Sequence, residues 1–376
     1  MVNRTSAEVF PPGEFIREEL EARAWTQGDL AEIMGRPPQV VSEIISAKKQ
    51  ITPETARELA AAFGSDDALY WLNLESAYRL AKVDAASDLV ERRSRLYSKF
   101  PVREMLKRKW IEASDSIDVI EHRVCRFHNI SNINESPSLN YSAKATQDDD
   151  KKPLQLAWLY RAHQLAKGVH ASRYSEQKLR AALKKLRLLM VAPEEIRQVP
   201  QILADAGVRY VIVEFIPGAK IDGAAFWMDG KPVIAMSLRY DRVNNFWFVL
   251  RHEIEHILNR DGEITVDVEL HESLQRKETV SLEESRANEA AAEFLVPKSE
   301  LDGFIVRVRP LYSEQRILLF ARRVGVHPGI VVGQLQFRDE VPYTHFHKHL
   351  VKVREIITQT VLSDGWGTVP TLSDGA

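Results

Sequence analysis

The pentapeptide His252-Glu253-Ile254-Glu255-His256 carries the strongest chemical signal in this chain of 376 residues. Positions four apart on a helix lie one turn apart on the same face, so both imidazoles can reach one metal ion. Glu253, beside the first histidine, sits where a carboxylate can take a proton from a water that the ion acidifies. The chemistry implied is metal-assisted hydrolysis. It requires a third protein ligand and a coordination position left open.

A third histidine six residues after His256 is excluded, because that position is Gly262. The remaining source is a glutamate on a following helix, where Glu283, Glu284, Glu289 and Glu293 compete. Helical phase selects Glu284. Ala287, Asn288, Ala291, Phe294 and Leu295 follow it at i+3, i+4, i+7, i+10 and i+11, the spacing of an inward face. Asn288, one turn on, is placed to hydrogen-bond a ligating histidine and fix its tautomer. The small residues Ala287, Ala290, Ala291 and Ala292 allow close approach of the two helices. Two imidazoles and a carboxylate favour zinc, with manganese and iron as the alternatives. Tyr240, His345 and His347 are candidate oxyanion donors by residue type alone, with surface or structural roles as the stronger reading.

The elements that must position these groups are mostly helical. Val208–Phe215, Ala224–Met228 and Pro232–Ser237 are β-branched and aromatic, with Asp229-Gly230 as a hairpin turn. An apolar helix over Asn245–Leu258 carries the histidines. An acidic loop follows it, then helices over Glu283–Leu295, Ser313–Val324 and Pro328–Phe337. Upstream, helices are expected at Leu154–Gly168, Glu176–Met190 and Pro193–Ala206. The fold class expected is mainly α with a small β-sheet (α+β).

The first 80 residues read as five short helices. Thr26 caps a helix over Gln27–Met34, Gly35 breaks it, Pro37-Pro38 start the next, and Thr52-Pro53 open a fourth. Ala31 inside the first of these, a glycine turn, and Val40, Val41, Ile44 and Ile45 in the second give helix-turn-helix proportions.

Two resemblances rest on these residues. Residues 8–80 resemble the XRE-type helix-turn-helix. Pro12-Gly13-Glu14-Phe15-Ile16, Ile51-Thr52-Pro53-Glu54-Thr55-Ala56 and Tyr70-Trp71-Leu72-Asn73-Leu74 resemble its HigA-like antitoxin branch more closely. That implies a recognition helix starting near Pro37. Gln39 and Ser42 would face base edges of a double-stranded operator, while Gln27, Arg36, Lys48 and Lys49 would hold phosphates. Such modules bind as dimers, so a homodimer is expected. The segments from Lys220 to Ala224, Phe246 to His256 and Glu284 to Pro297 resemble the ImmA/IrrE metallopeptidases, over roughly residues 195–340. That resemblance implies a gluzincin-like core with His252, His256 and Glu284 as ligands and Glu253 as general base. Ile254-Glu255 replaces a small pair in the family's motif, placing an extra carboxylate beside the metal helix. Ala290 stands where the family commonly has Phe.

The organisation expected is a helix-turn-helix domain over 1–80, a basic helical connector over 81–152, a metallopeptidase domain with leading helices over 153–345, and a C-terminal helix and tail over 346–376. The polar stretch 131–153 is the best linker. Charge is uneven: residues 1–80 carry a net of −5, 81–200 a net of +8 and 201–376 a net of −5. Arg92, Arg93, Arg95, Lys99, Arg103, Lys107, Arg108 and Lys109 make the basic core, which reads first as a solvated helix face and alternatively as a surface for nucleic-acid phosphates. The single Cys125 excludes a disulfide framework and a thiolate metal site. No apolar stretch suits a signal peptide or a membrane span, so the expected setting is cytoplasmic. The expected function is a DNA-binding regulator or antitoxin fused to a zinc peptidase that cleaves itself or a repressor under stress, with a cognate toxin or repressor as partner. The alternative is a non-catalytic antitoxin whose metal domain is structural or ligand-sensing.

Overall fold

A computed structural model describes residues 10–82, 86–137, 142–143, 152–262, 264–268 and 281–370. The chain divides into two compact units, Met1–Arg93 and Ser94–Ala376.

The first unit contains α1 (Pro12–Ala22), α2 (Gln27–Ile33), α3 (Pro38–Ile45), α4 (Pro53–Ala62) and α5 (Ala68–Lys82). Its ends follow from local chemistry. Thr26 and Asp29 form a capping box: Asp29 N–H donates to Thr26 Oγ1, and Thr26 N–H donates to the Asp29 carboxylate at 2.7 Å. Gly35, at φ +64, turns the chain between α2 and α3. Thr52 caps α4. A Cβ on Gly13 would stand 1.9 Å from the Ile45 carbonyl oxygen, so only glycine lets α1 start against the end of α3. Ile16, Leu30, Val41, Ile44, Leu59 and Trp71 form the shared core.

The second unit is a sheet between helical layers. Its strands are β1 (Ser142–Ala143), β2 (Arg209–Val213), β3 (Ile221–Met228), β4 (Lys231–Met236), β5 (Ile264–Val268) and β6 (Leu362–Asp364), in the order β1-β5-β3-β4-β2-β6. β3 pairs antiparallel with β4 and β5, while β2 pairs parallel with β4 and β6. Asp229 and Gly230 both have positive φ, as the tight β3–β4 hairpin requires. Alternation along the strands sorts the two faces. Val211, Val213, Ala224 and Phe226 pack on Trp158, Leu159, Ala162 and Leu165 of one helix, α9 (Lys152–Lys167). Tyr210, Ile212, Ala225 and Ile234 face the larger core on the other side.

The mainly helical fold with a small sheet is as the sequence predicts. Three pieces of sheet were not foreseen. The loop after the histidine helix contains β5, the polar stretch 131–153 contains β1, and the C-terminal segment places β6 beside β2. The helices α7 (Val102–Lys107) and α8 (Ile117–His128) share a core with α9 through Val102, Met105, Ile117, Val124, Ala157 and Tyr160. Part of the basic stretch is thereby tied down: Lys99 donates to the Ile133, Asn134 and Glu135 carbonyls, and Arg108 pairs with Glu214 at 2.9 Å.

His128 in that core makes a testable link to pH. It is 1% exposed, and its ring meets Phe100, Phe127 and Tyr160 at 4.9, 4.9 and 5.1 Å. Nδ1–H donates to the Val124 carbonyl. Burial pushes its pKa down from 6.5 to about 4. The unfolded chain therefore protonates first as pH falls. The contribution of neutral His128 is complete above pH 6.5 and is lost as pH falls through about 4. A shift of this size corresponds to about 3 kcal/mol. In denaturant melts between those limits, His128→Phe is expected to flatten the acid-side loss of stability. An unchanged slope would assign the loss to other groups.

Candidate metal centre

The helix α12 (Val243–Asn259) is held from both ends of its sequence by apolar residues. Phe246, Trp247, Leu250, Ile254 and Ile257 are buried in the larger core. That burial fixes the rotation of the helix and turns His252 and His256 toward α13 (Leu282–Leu295). Ala287 and Ala291 on α13 are fully buried, and their small side chains permit the close approach. Ser281 caps α13 by accepting from the Glu284 N–H, which starts the helix one turn before its ligand.

Three side chains converge where these helices meet. His252 Nε2 and His256 Nε2 lie 3.0 Å apart. Glu284 places one oxygen 3.3 Å from His252 Nε2 and the other 3.5 Å from His256 Nε2. Among the described residues, this is the group of His, Cys, Asp or Glu side chains close enough to share an ion. Donors bound at ~2.0–2.2 Å to a tetrahedral ion stand about 3.3–3.6 Å from one another. The donor set and its spacing fit a divalent metal ion.

Outer contacts orient the ligands. His256 Nδ1 is 3.0 Å from an Asp261 oxygen, leaving Nε2 to face the ion. Arg286 pairs with the other Asp261 oxygen, and that contact raises the arginine's pKa. Arg260, in the left-handed region at φ 54, reverses the chain and returns Asp261 to His256. Asn288 lies one turn beyond Glu284 as expected, but Asp261 is the partner that holds His256. Asn288 lines an adjacent cleft instead.

Glu253 is fully buried and lies against β3. A Cβ at Gly223 would stand 2.1 Å from Glu253 Oε1 and 2.9 Å from Val249 Cγ1. β3 and β5 shift register at this point, between Ile221 and Gly223. The strand thus makes room for the carboxylate by omitting a side chain. Gly223 and Asp261 are site residues that metal-ligand spacing did not reveal.

Glu255 does not share the metal face. Arg251 donates to it at 2.7 Å and Asn259 donates to its other oxygen at 2.8 Å. Burial raises the Glu255 pKa, but the hydrogen bonds from Asn259 and Arg251 outweigh it and hold the carboxyl below its ordinary range. The extra carboxylate is a neutralised brace along the helix. His345 and His347 are exposed and engaged locally, with Thr344 and with the Tyr343 carbonyl. Tyr240 stacks under Arg239.

In the first unit, α3 presents Gln39 and Ser42 to solvent, and Gln27, Lys48 and Lys49 are exposed nearby in sequence. Gln39 also donates to Glu43 at 3.0 Å. Arg36 is engaged elsewhere. It binds Glu58 through two bonds of 2.8 Å and lies 3.1 Å from Glu54, because these glutamates present one face of α4 to the α2–α3 turn. The geometry makes Arg36 a brace between helices rather than a phosphate ligand.

Residues 16–68 match the helix-turn-helix family. An uncharacterized HTH-type transcriptional regulator of Escherichia coli (strain K12), YddM, is 33% identical over 78 residues, covering 21% of this chain and 82% of that protein. The chain belongs to the helix-turn-helix regulators. Two proteins of Dichelobacter nodosus are also similar. Virulence-associated protein A is 38% identical over 56 residues, 15% of this chain and 55% of that protein. Virulence-associated protein I is 39% identical over 70 residues, 18% of this chain and 64% of that protein. Residues 208–335 match the IrrE N-terminal-like domain. That match contains Gly223, all three converging side chains, Glu253 and Asp261. This helix-turn-helix regulator therefore carries a metallopeptidase-like domain on the same chain. Among its described residues, no helix is long and apolar enough to cross a membrane.

Proposed function

We propose that this chain is a transcriptional regulator whose second unit is a zinc-dependent endopeptidase. The convergence of His252, His256 and Glu284 beside the buried carboxylate of Glu253 carries this reading. When bound, zinc supplies Lewis acidity, lowering the pKa of a water and polarising a scissile carbonyl. Glu253 takes the water proton and passes it to the leaving amine. Asp261 keeps the His256 ring in register, and Gly223 leaves the space in which Glu253 moves its proton.

The first unit supplies the address. Gln39 and Ser42 on α3 face base edges, and Gln27, Lys48 and Lys49 hold phosphates of a double-stranded operator. A dimer places two such helices on half-sites one turn apart. The bond cut belongs to the chain itself or to a helix-turn-helix repressor, in a cytoplasmic stress response in which a toxin or repressor is the cognate partner. The polar stretch 131–153 is the proposed target for self-cleavage, although 138–141 and 144–151 lie outside the described residues. Its residues Ser142 and Ala143 pair with Thr265 and Val266 at the sheet edge, which supports an extended peptide lying there. Zinc-loaded protein, incubated alone and with its partner, is expected to yield two fragments meeting within 131–153. Full-length protein in every lane would remove self-cleavage.

A second reading draws on the depth of the site, where His252 and Glu253 are 0% exposed and His256 2%. A closed centre suits a structural or sensing metal in a non-catalytic antitoxin. If Glu253→Gln preserves every phenotype while His252→Ala abolishes repression, this second reading holds.

A further inference from the structure

A cavity of about 440 Å³ lies at the start of β2 and β6, walled by the loop that follows α9 and by the helix α11 (Val199–Ala206). That volume falls in the range of small-molecule sites, roughly 300–1,000 Å³. Local chemistry builds it. Val199, Leu203 and Ala206 are buried in the larger core, which leaves Pro200, Gln201 and Ala204 on the other face of α11 to line the cavity. The Ser172 N–H donates to the Ala204 carbonyl at 3.0 Å, and Lys231 Nζ donates to the Ala171 carbonyl at 3.0 Å. These bonds hold the loop against α11 and β4. A Cβ on Gly168 would stand 3.4 Å from Leu362 Cδ2, so the loop also reaches β6. Thr360 Oγ1 donates to the Arg197 carbonyl at 2.9 Å, tying the lead into β6 to the residue that brings a guanidinium to the rim. The cavity shares no lining residue with the metal centre.

The charge of the lining has one sign. Arg197 and His170 bring a guanidinium and an imidazole, and no Asp or Glu is among the described residues that line the cavity. Both basic residues are exposed, and neither side chain makes a hydrogen bond or an ion pair among the described residues. The acids close in sequence do not claim the arginine: Asp205 accepts from Gln201 Nε2 at 2.8 Å, Glu195 accepts from Gln198, and Glu194 does not pair with it. Tyr210 donates its hydroxyl to Met236 Sδ at 3.2 Å. The rest of the wall is apolar, with Val169, Pro200, Ala204, Val361 and Leu362.

We infer that this cavity is a binding site for a small organic anion, a carboxylate or a phosphate monoester on an apolar body. The body packs on the apolar wall. The anionic head accepts from the forked donor edge of the Arg197 guanidinium, which matches either head group, and from His170. A cationic ligand would bring like charge to Arg197 and no acceptor. A neutral amide would bring an acceptor without the charge. A ligand held there bridges the loop, α11 and the lead into β6, and so stabilises the folded second unit. The site stands independently of the endopeptidase reading, because no group of the metal centre takes part in it.

Zinc-loaded full-length protein is titrated calorimetrically with naphthalene probes that differ only in the head group: naphthaleneacetate, naphthyl phosphate, naphthaleneacetamide and naphthylmethylamine. The better of the two anions is expected to bind at least about tenfold more tightly than the amide, the size of a charge-assisted hydrogen bond, and the amine most weakly. Whichever anion binds more tightly names the head group. Arg197→Gln, at an exposed position, should bring that anion down to the level of the amide. Ala204→Phe, which fills the cavity, should abolish binding of both. Thermal melts show whether each variant folds, and in them the tight anion should raise the Tm of the wild type alone. If Ala204→Phe does not fold, Arg197→Gln carries the test. No measurable binding, equal binding of the probes, an amide or amine preference, or an anion preference unmoved by Arg197→Gln overturns the inference. The last of these results would put the anion on the zinc instead.

Discussion

Glu253→Gln is expected to keep its metal and lose hydrolysis by about 10²–10⁴-fold, the usual contribution of a positioned general base. The two expectations come from different atoms. Metal retention follows because His252, His256 and Glu284 supply the converging donors. Loss of rate follows because an amide of the same shape cannot accept the water proton. Shape matters here, since Gly223 leaves room for this side chain and a Cβ would meet it at 2.1 Å. Gln fits the same space. Single-turnover cleavage of a partner or of the polar 131–153 stretch, measured beside metal content, reads both quantities. A variant that cuts at the wild-type rate would take Glu253 out of the chemistry. A variant that loses its metal as well would make the residue structural.

Asp364→Ala is expected to destabilise the second unit by about 3–5 kcal/mol, the cost of leaving one partner of a buried ion pair alone. Asp364 is 2% exposed and Arg161 5% exposed, and their side chains are in direct contact. Trp110 Nε1–H donates to the same carboxylate oxygen at 3.0 Å. Burial raises the Asp364 pKa even against Arg161 and Trp110, so ionising this acid costs more in the folded chain than in the unfolded one, and the pair is not in itself a source of stability. Removing the acid strands a guanidinium in the core and also leaves the indole N–H unpaired. The double substitution Arg161→Met with Asp364→Leu removes both charges and should lose much less. Denaturant unfolding of the full chain distinguishes the two. Equal losses would mean that β6 is held by packing rather than by this charge pair.

The parts of the site that the sequence reveals are those governed by helical period. His252 and His256 at i and i+4, and Glu284 in phase with Ala287 and Ala291, need only the 3.6-residue repeat. Structure adds what depends on tertiary placement. Asp261 reaches His256 because Arg260 adopts a left-handed conformation, which an arginine does not advertise. Gly223 reads as an ordinary strand glycine until Glu253 is seen against it. Arg36 looked like a phosphate ligand by charge and position, but Glu54 and Glu58 lie one turn apart on the facing helix and claim it. β5 did carry a legible signal: Ile264, Val266 and Val268 alternate with Thr265 and Asp267, but acidic flanks made the segment read as a loop. β6 had none, since three residues cannot show a period. Its place depends on Arg161, 203 positions away.

Metal content tests the central claim, that side chains from two helices form one metal centre. Wild-type protein, purified without added chelator and dialysed against zinc, should carry one ion per chain by elemental analysis. Glu284→Ala, folded by circular dichroism, should carry far less than one. Wild-type protein that holds no metal, or a Glu284→Ala variant that holds it equally well, would contradict the account.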